Sequence, residues 1–356
     1  MKILLPTLYD TRGGSTRVLL AAADALRGRH AVTVRAPLPE ADERTPPRFP
    51  SRPLAGPWRK LAVLPRLAGL VAAEAKALRR LRPDLIHVHD EPTLYVYGLA
   101  ARLLRPRPFV LWHLHAPAAG GRAGALRASL ADACIVISPH ATPPTRLPWR
   151  LVRNPLPALP PHARPDGDTR LAGLAVVGAL GPRKGQDRAV DALAVLLRMP
   201  EAAEAHLTLI GPELDAAFAA ALRMRVTALG LDGRVTFAGE RPPETAFAGV
   251  TLALFPSRAE MQPLALAEAM ARGLPVVASD IPAHRAMLED AGADLASLGD
   301  PAAEPLAAAI LRAAACPMRP GLAERIRTLY APERFRADLT AAVDALTEGR
   351  IRATDL

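Results

Sequence analysis

Residues Ser257–Asp280 read SRAEMQPLALAEAMARGLPVVASD. Two glutamates, Glu260 and Glu268, stand eight positions apart in a segment with little other reason to carry negative charge. Upstream, VTLALFPS is a short apolar run bounded by turn residues, the pattern of a strand buried on both faces of a parallel sheet. Pro263 then suits the first position of a helix, and Gly273 the residue just past its end. Between them Leu264, Ala265, Leu266, Ala267, Ala269, Met270 and Ala271 leave Glu268 as the only polar group before Arg272. A carboxylate on a helix that is apolar all round is expected to be buried, and burial without a partner costs several kcal/mol. Hydroxyls of a bound sugar or ribose would supply the missing donors, and the amides opening the helix would bind phosphate. Glu260 falls in the loop leaving the C-terminal end of the strand, where open α/β sheets bind ligands. The alternative is a helix N-terminal acid at Glu260 and a core salt bridge from Glu268 to Arg272.

The same alternation of strand and helix runs through all 356 residues. Strands are expected at KILLP, AVTVRA, LIHVH, FVLWHLH, CIVIS and WRLVRN, then at LAVVGA, HLTLIG, RVTFAG, TLALFP and PVVAS. Longer helical patterns separate them, which implies βαβ units and parallel sheets in an α/β protein. Asn154–Arg170, NPLPALPPHARPDGDTR, is proline-rich and polar and reads as a linker. We therefore expect two Rossmann-like, doubly wound domains over residues 1–160 and 161–332, facing each other across a cleft, and a C-terminal helix and tail over 333–356.

Composition narrows the class. No stretch approaches the roughly twenty consecutive apolar residues of a transmembrane helix, and MKILLPTLYD reads as a first strand rather than a signal peptide. Cys134 and Cys316 lack metal-ligand spacing, which implies buried thiols in a reducing, cytoplasmic compartment. The net charge of +10 is uneven: residues 1–165 hold 25 Lys and Arg against 10 Asp and Glu, and the remainder 20 against 25. A basic first domain implies an anionic partner. With aromatics at 4% and no zinc, RRM-like or KH-like signature, nucleic acid is not expected. Pro57–Asp84 mixes Arg59, Lys60, Arg66, Lys76, Arg79, Arg80 and Arg82 with leucines and valines. It is either a peripheral contact for an anionic membrane or a solvated helix face.

Further motifs sit where the strands end. Gly13 and Gly14 follow the first strand and precede the helix VLLAAADALRG, where backbone amides can approach a charged ligand closely. The equivalent turn of the second half, GALGPRKGQD, places Arg183 and Lys184 between Gly181 and Gly185. Paired cations there are suited to neutralise a departing diphosphate, the alternative being an exposed basic turn. His113 and His115 end the fourth long strand, and period-two alternation puts them on one face. His87 and His89, in DLIHVHD, repeat the spacing, but no third ligand of familiar spacing follows, so they are read as structural.

Taken in order, R-G-G after the first strand, GRHAVTV, DLIHVHD, WHLHAP, ISPH, the N-P turn at Asn154, VVGALGPRKGQD, LIG, RVTFAGE and PSRAEMQPLALAEAMARGLPVVASDIPAHRAML resemble glycosyltransferase family 4, the retaining GT-B enzymes. The resemblance spans nearly the whole chain. It implies that Glu268 holds the ribose of a nucleotide diphosphate-sugar, that Glu260 contacts the transferred sugar near the reacting carbon, and that amides after Glu260 bind sugar hydroxyls and phosphate, with Met261, Gln262, Pro263 and Leu264 counted among the donor-binding residues. His115 matches the family position beside the donor sugar, Lys184 the phosphate-binding lysine, and Gly14 an amide approaching the donor; Gly211 of LIG is counted with the donor-binding residues. Two departures stand out: Ala179 replaces the arginine expected after Gly178, and Met261-Gln262-Pro263 replaces the usual glycine-and-phenylalanine loop.

The expectation is a retaining glycosyltransferase, independent of metal and of any cofactor beyond its donor substrate. It would act on a carbohydrate or lipid-linked acceptor, in bacterial cell-surface polysaccharide or glycolipid synthesis. A nucleotide-sugar epimerase of the same fold and a catalytically silent GT-B binding subunit are the alternatives. A dinucleotide dehydrogenase lacks the glycine fingerprint.

Overall fold

The structure is a computed structural model that describes residues 1–10, 14–46, 59–116, 121–141, 147–157, 159, 171–293, 298–299, 302–316 and 319–354. Gly13, the start of the basic stretch at Pro57 and Trp58, and most of the Asn154–Arg170 segment lie outside the described residues. The chain forms two compact units, Met1–Pro155 with Pro332–Leu356, and Leu156–Ala331.

The first unit runs β1 (Lys2–Pro6), α1 (Gly14–Arg27), β2 (Ala31–Ala36), β3 (Glu43–Arg44), α2 (Arg59–Leu81), β4 (Leu85–Val88), α3 (Glu91–Arg102), β5 (Phe109–Leu114), α4 (Gly121–Ser129), β6 (Ala133–Val136) and β7 (Trp149–Leu151). Its parallel sheet has the order β3-β2-β1-β4-β5-β6-β7, so the winding reverses between β1 and β4. The inner strands are largely apolar because both faces are covered: all four residues of β4, His87 included, and all four of β6 are buried. Asp90 caps α3 by accepting from the Thr93 amide at 2.8 Å, and the Thr7 hydroxyl after β1 reaches the same carboxylate at 3.3 Å. The two strand ends beside the reversal are thereby tied together.

The second unit runs β8 (Leu174–Val177), a 3-10 turn (Pro182–Lys184), α5 (Gln186–Leu196), β9 (Leu207–Ile210), α6 (Ala216–Ala228), β10 (Val235–Gly239), β11 (Leu252–Phe255), α7 (Leu264–Ala271), β12 (Val276–Ser279), α8 (Pro282–Ala291), β13 (Leu298–Gly299), α9 (Ala303–Ala315) and α10 (Leu322–Leu329). Strand order is β10-β9-β8-β11-β12-β13, again parallel, with the reversal between β8 and β11. Every strand expected from the sequence is present. β3 and β13, two residues each, were not expected. Pro263 does not open α7: at φ −76°, ψ 81° it is the capping residue, and its carbonyl accepts the first helical bond from Ala267 at 3.2 Å.

The last helix, α11 (Pro332–Thr354), returns to the first unit, where Phe335, Leu339, Ala342 and Val343 join the core formed by α1, β1 and β2. Among the described residues no helix is long and apolar enough to cross a membrane.

Candidate functional site

The reversal between β8 and β11 is where a doubly wound sheet opens a crevice at its strand ends. The turn after β8 carries Arg183 and Lys184; the loop after β11 carries Ser257, Arg258 and Glu260. The structure brings the two segments together. Lys184 Nζ lies 2.7 Å from Glu260 Oε1, Arg183 Nη1 donates to Oε2 at 2.6 Å, and the Ser257 hydroxyl donates to Oε1 at 3.1 Å. The Glu260 side chain is only 5% exposed, against 20% for Lys184 and 59% for Arg183. Burial alone would raise the Glu260 carboxyl, but the two cations outweigh it and hold it below the usual carboxylate range.

Glycines make this approach possible. Gly178 and Gly185 sit at φ 151° and 72°, where only glycine is unstrained. A Cβ on Gly178 would meet Lys184 Cε at 2.9 Å, so the lysine stem lies across the bare backbone; one on Gly185 would strike the Pro256 carbonyl oxygen at 2.1 Å. The clamp is completed by Arg258, which grips Asp187 through two bonds of 2.8 and 2.6 Å and the Pro182 carbonyl at 2.6 Å, and by Arg188, which donates to the Pro256 carbonyl at 3.0 Å. Buried Gln186 ties the turn inward through the Ala179 carbonyl at 3.1 Å. His284, at the start of α8, is fully buried; its Nδ1 lies 2.8 Å from the Ser279 carbonyl, and its Nε2 has no hydrogen-bond partner among the described residues. Burial lowers its pKa, while the Ser279 carbonyl and Glu260 act in the opposite sense.

Other expected residues have different settings. Glu268 is 6% exposed, as its helix required, and its charge acts on the equally buried Arg272 one turn on, so the helix supplies a cation in its surroundings. Met261 and Pro263 are buried, and Gln262 and Leu264 half-buried. Gly211 packs so tightly that a Cβ would meet the Gly178 carbonyl oxygen at 2.2 Å, which gives it a packing reason of its own. Gly14 opens α1, and a Cβ placed on it would meet nothing within 4 Å among the described residues.

In the first unit His87 and His89, read from the sequence as structural, are joined by the two histidines of β5 and its end. Parallel register sets His87 opposite Leu111 and Val88 opposite Trp112, which carries His89 alongside His113. The four imidazoles of His87, His89, His113 and His115 form one stack, with ring centroids 4.4–5.3 Å apart, and His89 Nδ1 meets His115 Nε2 at 3.1 Å. Desolvation lowers all four below the ordinary imidazole range, His87 and His115 to about 3, although the His115 side chain is itself only half-buried.

Two family models match in succession: "Glycosyltransferase Family 4" over residues 12–164 and "Glycosyl transferases group 1" over residues 172–315. The chain belongs to the glycosyltransferases. No curated protein sequence matches it. Among solved structures, the glycosyltransferase resembles Anabaena Alr3699/HepE in complex with UDP and glucose, at 20% identity and TM-score 0.66, over 100% of this chain and 99% of the other. The lipopolysaccharide outer core galactosyltransferase WaaB is similar at 19% identity and TM-score 0.69, over 97% and 99% of the two chains. A Rickettsia africae glycosyltransferase is similar at 12% identity and TM-score 0.71, over 98% of each. The fold of the glycosyltransferase is accordingly GT-B, two Rossmann-like domains. Its clamp residues Ser257, Arg258, Asp187 and His284 were not singled out from the sequence. Arg258 and Asp187 lie within the PSRAE and KGQD motifs, which was the available signal.

Proposed function

We propose that this glycosyltransferase is a retaining family 4 enzyme that moves a sugar from a nucleotide diphosphate-sugar to an acceptor hydroxyl, without metal at the phosphates and without a further cofactor. The observation that carries the reading is the convergence of Lys184 and Arg183 on one carboxylate at the β8/β11 reversal. Two cations sharing a single buried anion keep one positive charge unbalanced, which favours a phosphate-bearing ligand at this point. As the bond to the sugar breaks, negative charge grows on the leaving diphosphate, and cations already fixed by Glu260 and by the Arg258–Asp187 clamp stabilise it without reorganising. Glu260 contacts the transferred sugar. Glu268 takes the ribose, and the amides of Met261, Gln262 and Leu264, with Gly14 and Gly211, line the donor; His115 lies beside the transferred sugar.

The relative solved with UDP and glucose and the outer core galactosyltransferase support a nucleotide-sugar donor and a role in cell-surface glycan synthesis. The basic first unit is the side for a carbohydrate or lipid-linked acceptor. Lys76, Arg79, Arg80 and Arg82 are exposed on and after α2, which supports peripheral contact with the inner, anionic membrane face by a cytoplasmic enzyme.

The test is a panel of nucleotide-sugars scored by the rise in melting temperature, followed by analysis of the product's anomeric configuration, with no magnesium or manganese added. Lys184→Ala should lower kcat more than it raises KM. A panel without any stabilising nucleotide-sugar, an inverted product, or an absolute need for added divalent ion would each refute the corresponding part of the reading.

A further inference from the structure

His87, His89 and His113 are 0, 2 and 0% exposed, and each offers a ring nitrogen within 4.8 Å of the others. Five of their six ring nitrogens, both on His87, both on His113 and Nε2 of His89, have no hydrogen-bond partner among the described residues. A neutral imidazole carries one N–H and one lone pair, and each left unpaired in a protein interior loses the hydrogen bond it would make in water. So many unmet groups at one point call for an occupant that accepts several imidazole lone pairs at once. We propose that His87, His89 and His113 hold a divalent transition-metal ion of the zinc class.

The donor set selects the ion. Neutral imidazoles without a carboxylate suit zinc, copper, nickel or cobalt and not magnesium or calcium. Zinc–nitrogen bonds of about 2.0–2.1 Å place the nitrogens of a tetrahedral site about 3.4 Å apart. From the present spacing of at most 4.8 Å the nitrogens would close by up to about 1.4 Å on binding. Three protein ligands leave a fourth position for water. His89 would bind through Nε2, which leaves its proton on Nδ1 to donate to His115 Nε2 at 3.1 Å, and His115 then carries its own proton on Nδ1. The ion would join the ends of β4 and β5 and fix the tautomer of His115. The metal site does not depend on the role given above to His115 at the donor sugar.

The full chain, freed of any affinity tag and stripped by dialysis against a chelator, is titrated with Co2+ and followed by its visible d–d bands; Zn2+ then displaces the cobalt. One equivalent is expected, with a melting temperature raised by Zn2+ and unmoved by Mg2+. His87→Gln and His113→Gln should abolish the bands, while His206→Gln, outside the cluster, keeps them. Circular dichroism confirms that each variant is folded. Absence of bands in the folded wild-type chain would overturn the proposal and leave ordered water as the partner of these nitrogens; so would bands that survive in both cluster variants. Donor binding, scored on the same protein by nucleotide-sugar stabilisation, is a separate readout, so failure of one is not failure of the other.

Discussion

Replacing Lys184 with Met keeps the stem that lies over Gly178 and removes only the ammonium beside Glu260. The structure sets the size of the loss. Glu260 is 5% exposed, so it cannot exchange the lysine for water freely, yet Arg183 at 2.6 Å and Ser257 at 3.1 Å remain. Full uncovering of a buried charge costs about 3–5 kcal/mol, whereas loss of one hydrogen bond to a charged group costs about 1.5–3, and the second figure applies here. Arg183→Gln removes a partner that is 59% exposed and should cost about 0.2–1 kcal/mol. The pH dependence follows in sign. The folded Glu260 carboxyl titrates below its ordinary 4.5, so the pair stabilises the protein above that pH, and the contribution is lost as pH falls through the folded value. In Lys184→Met burial loses its main opponent, the carboxyl protonates more readily, and the deficit shrinks on acidification. Urea unfolding followed by far-UV circular dichroism at pH 7 and pH 4 measures both effects. Tryptophan fluorescence is the wrong probe, because Trp58, Trp112 and Trp149 all precede residue 156. Arg183→Gln costing as much as Lys184→Met, or a deficit equal at the two pH values, would refute the ranking.

Gly185→Ala, at φ 72° with the Pro256 carbonyl oxygen 2.1 Å from the new methyl, should cost about 1–3 kcal/mol from backbone strain alone, and more from the clash. Gly181→Ala, extended at φ 176° with nothing within 4 Å, should stay within about 0.5 kcal/mol; equal losses in urea unfolding would count against the clamp. Glu268→Gln should weaken nucleotide-sugar binding by roughly 1.5–3 kcal/mol in calorimetry, and unchanged affinity would remove the ribose role and leave Glu268 as the partner of Arg272. Vesicles containing anionic lipid should bind the protein in a salt-sensitive way, and replacing Arg79, Arg80 and Arg82 with glutamine should cost about 1 kcal/mol per charge. Arg80, already paired with Glu43, should contribute least, and equal sedimentation with neutral vesicles would return α2 to a solvated face.

The long strands were legible because parallel strands covered on both faces are apolar almost throughout, as in ACIV and LALF. β3 was not, since Glu43-Arg44 is a charged pair at a sheet edge without any hydrophobic pattern. Glu268 was found through burial, because one carboxylate in an apolar helix contradicts its surroundings. Arg258 and Asp187 were missed for the opposite reason: 71 residues separate them, both lie outside any periodic pattern, and only the approach of two strand ends joins them. The histidine cluster fell between these cases. Each His-x-His was visible, but its meaning lies in the β4/β5 register, and ligand spacing along the chain holds no information about a partner on the neighbouring strand.

The return of α11 to the first unit has a consequence for synthesis. Leu156–Ala331 is one uninterrupted stretch, so its two cores are complete as soon as Ala331 has been made. The first unit, although begun earlier, still lacks Phe335, Leu339, Ala342 and Val343 at that moment and leaves an apolar strip on α1 uncovered. A chain cut short between Ala331 and Phe335 therefore keeps every residue of the second unit's cores but leaves the first unit with an apolar strip that is prone to stick.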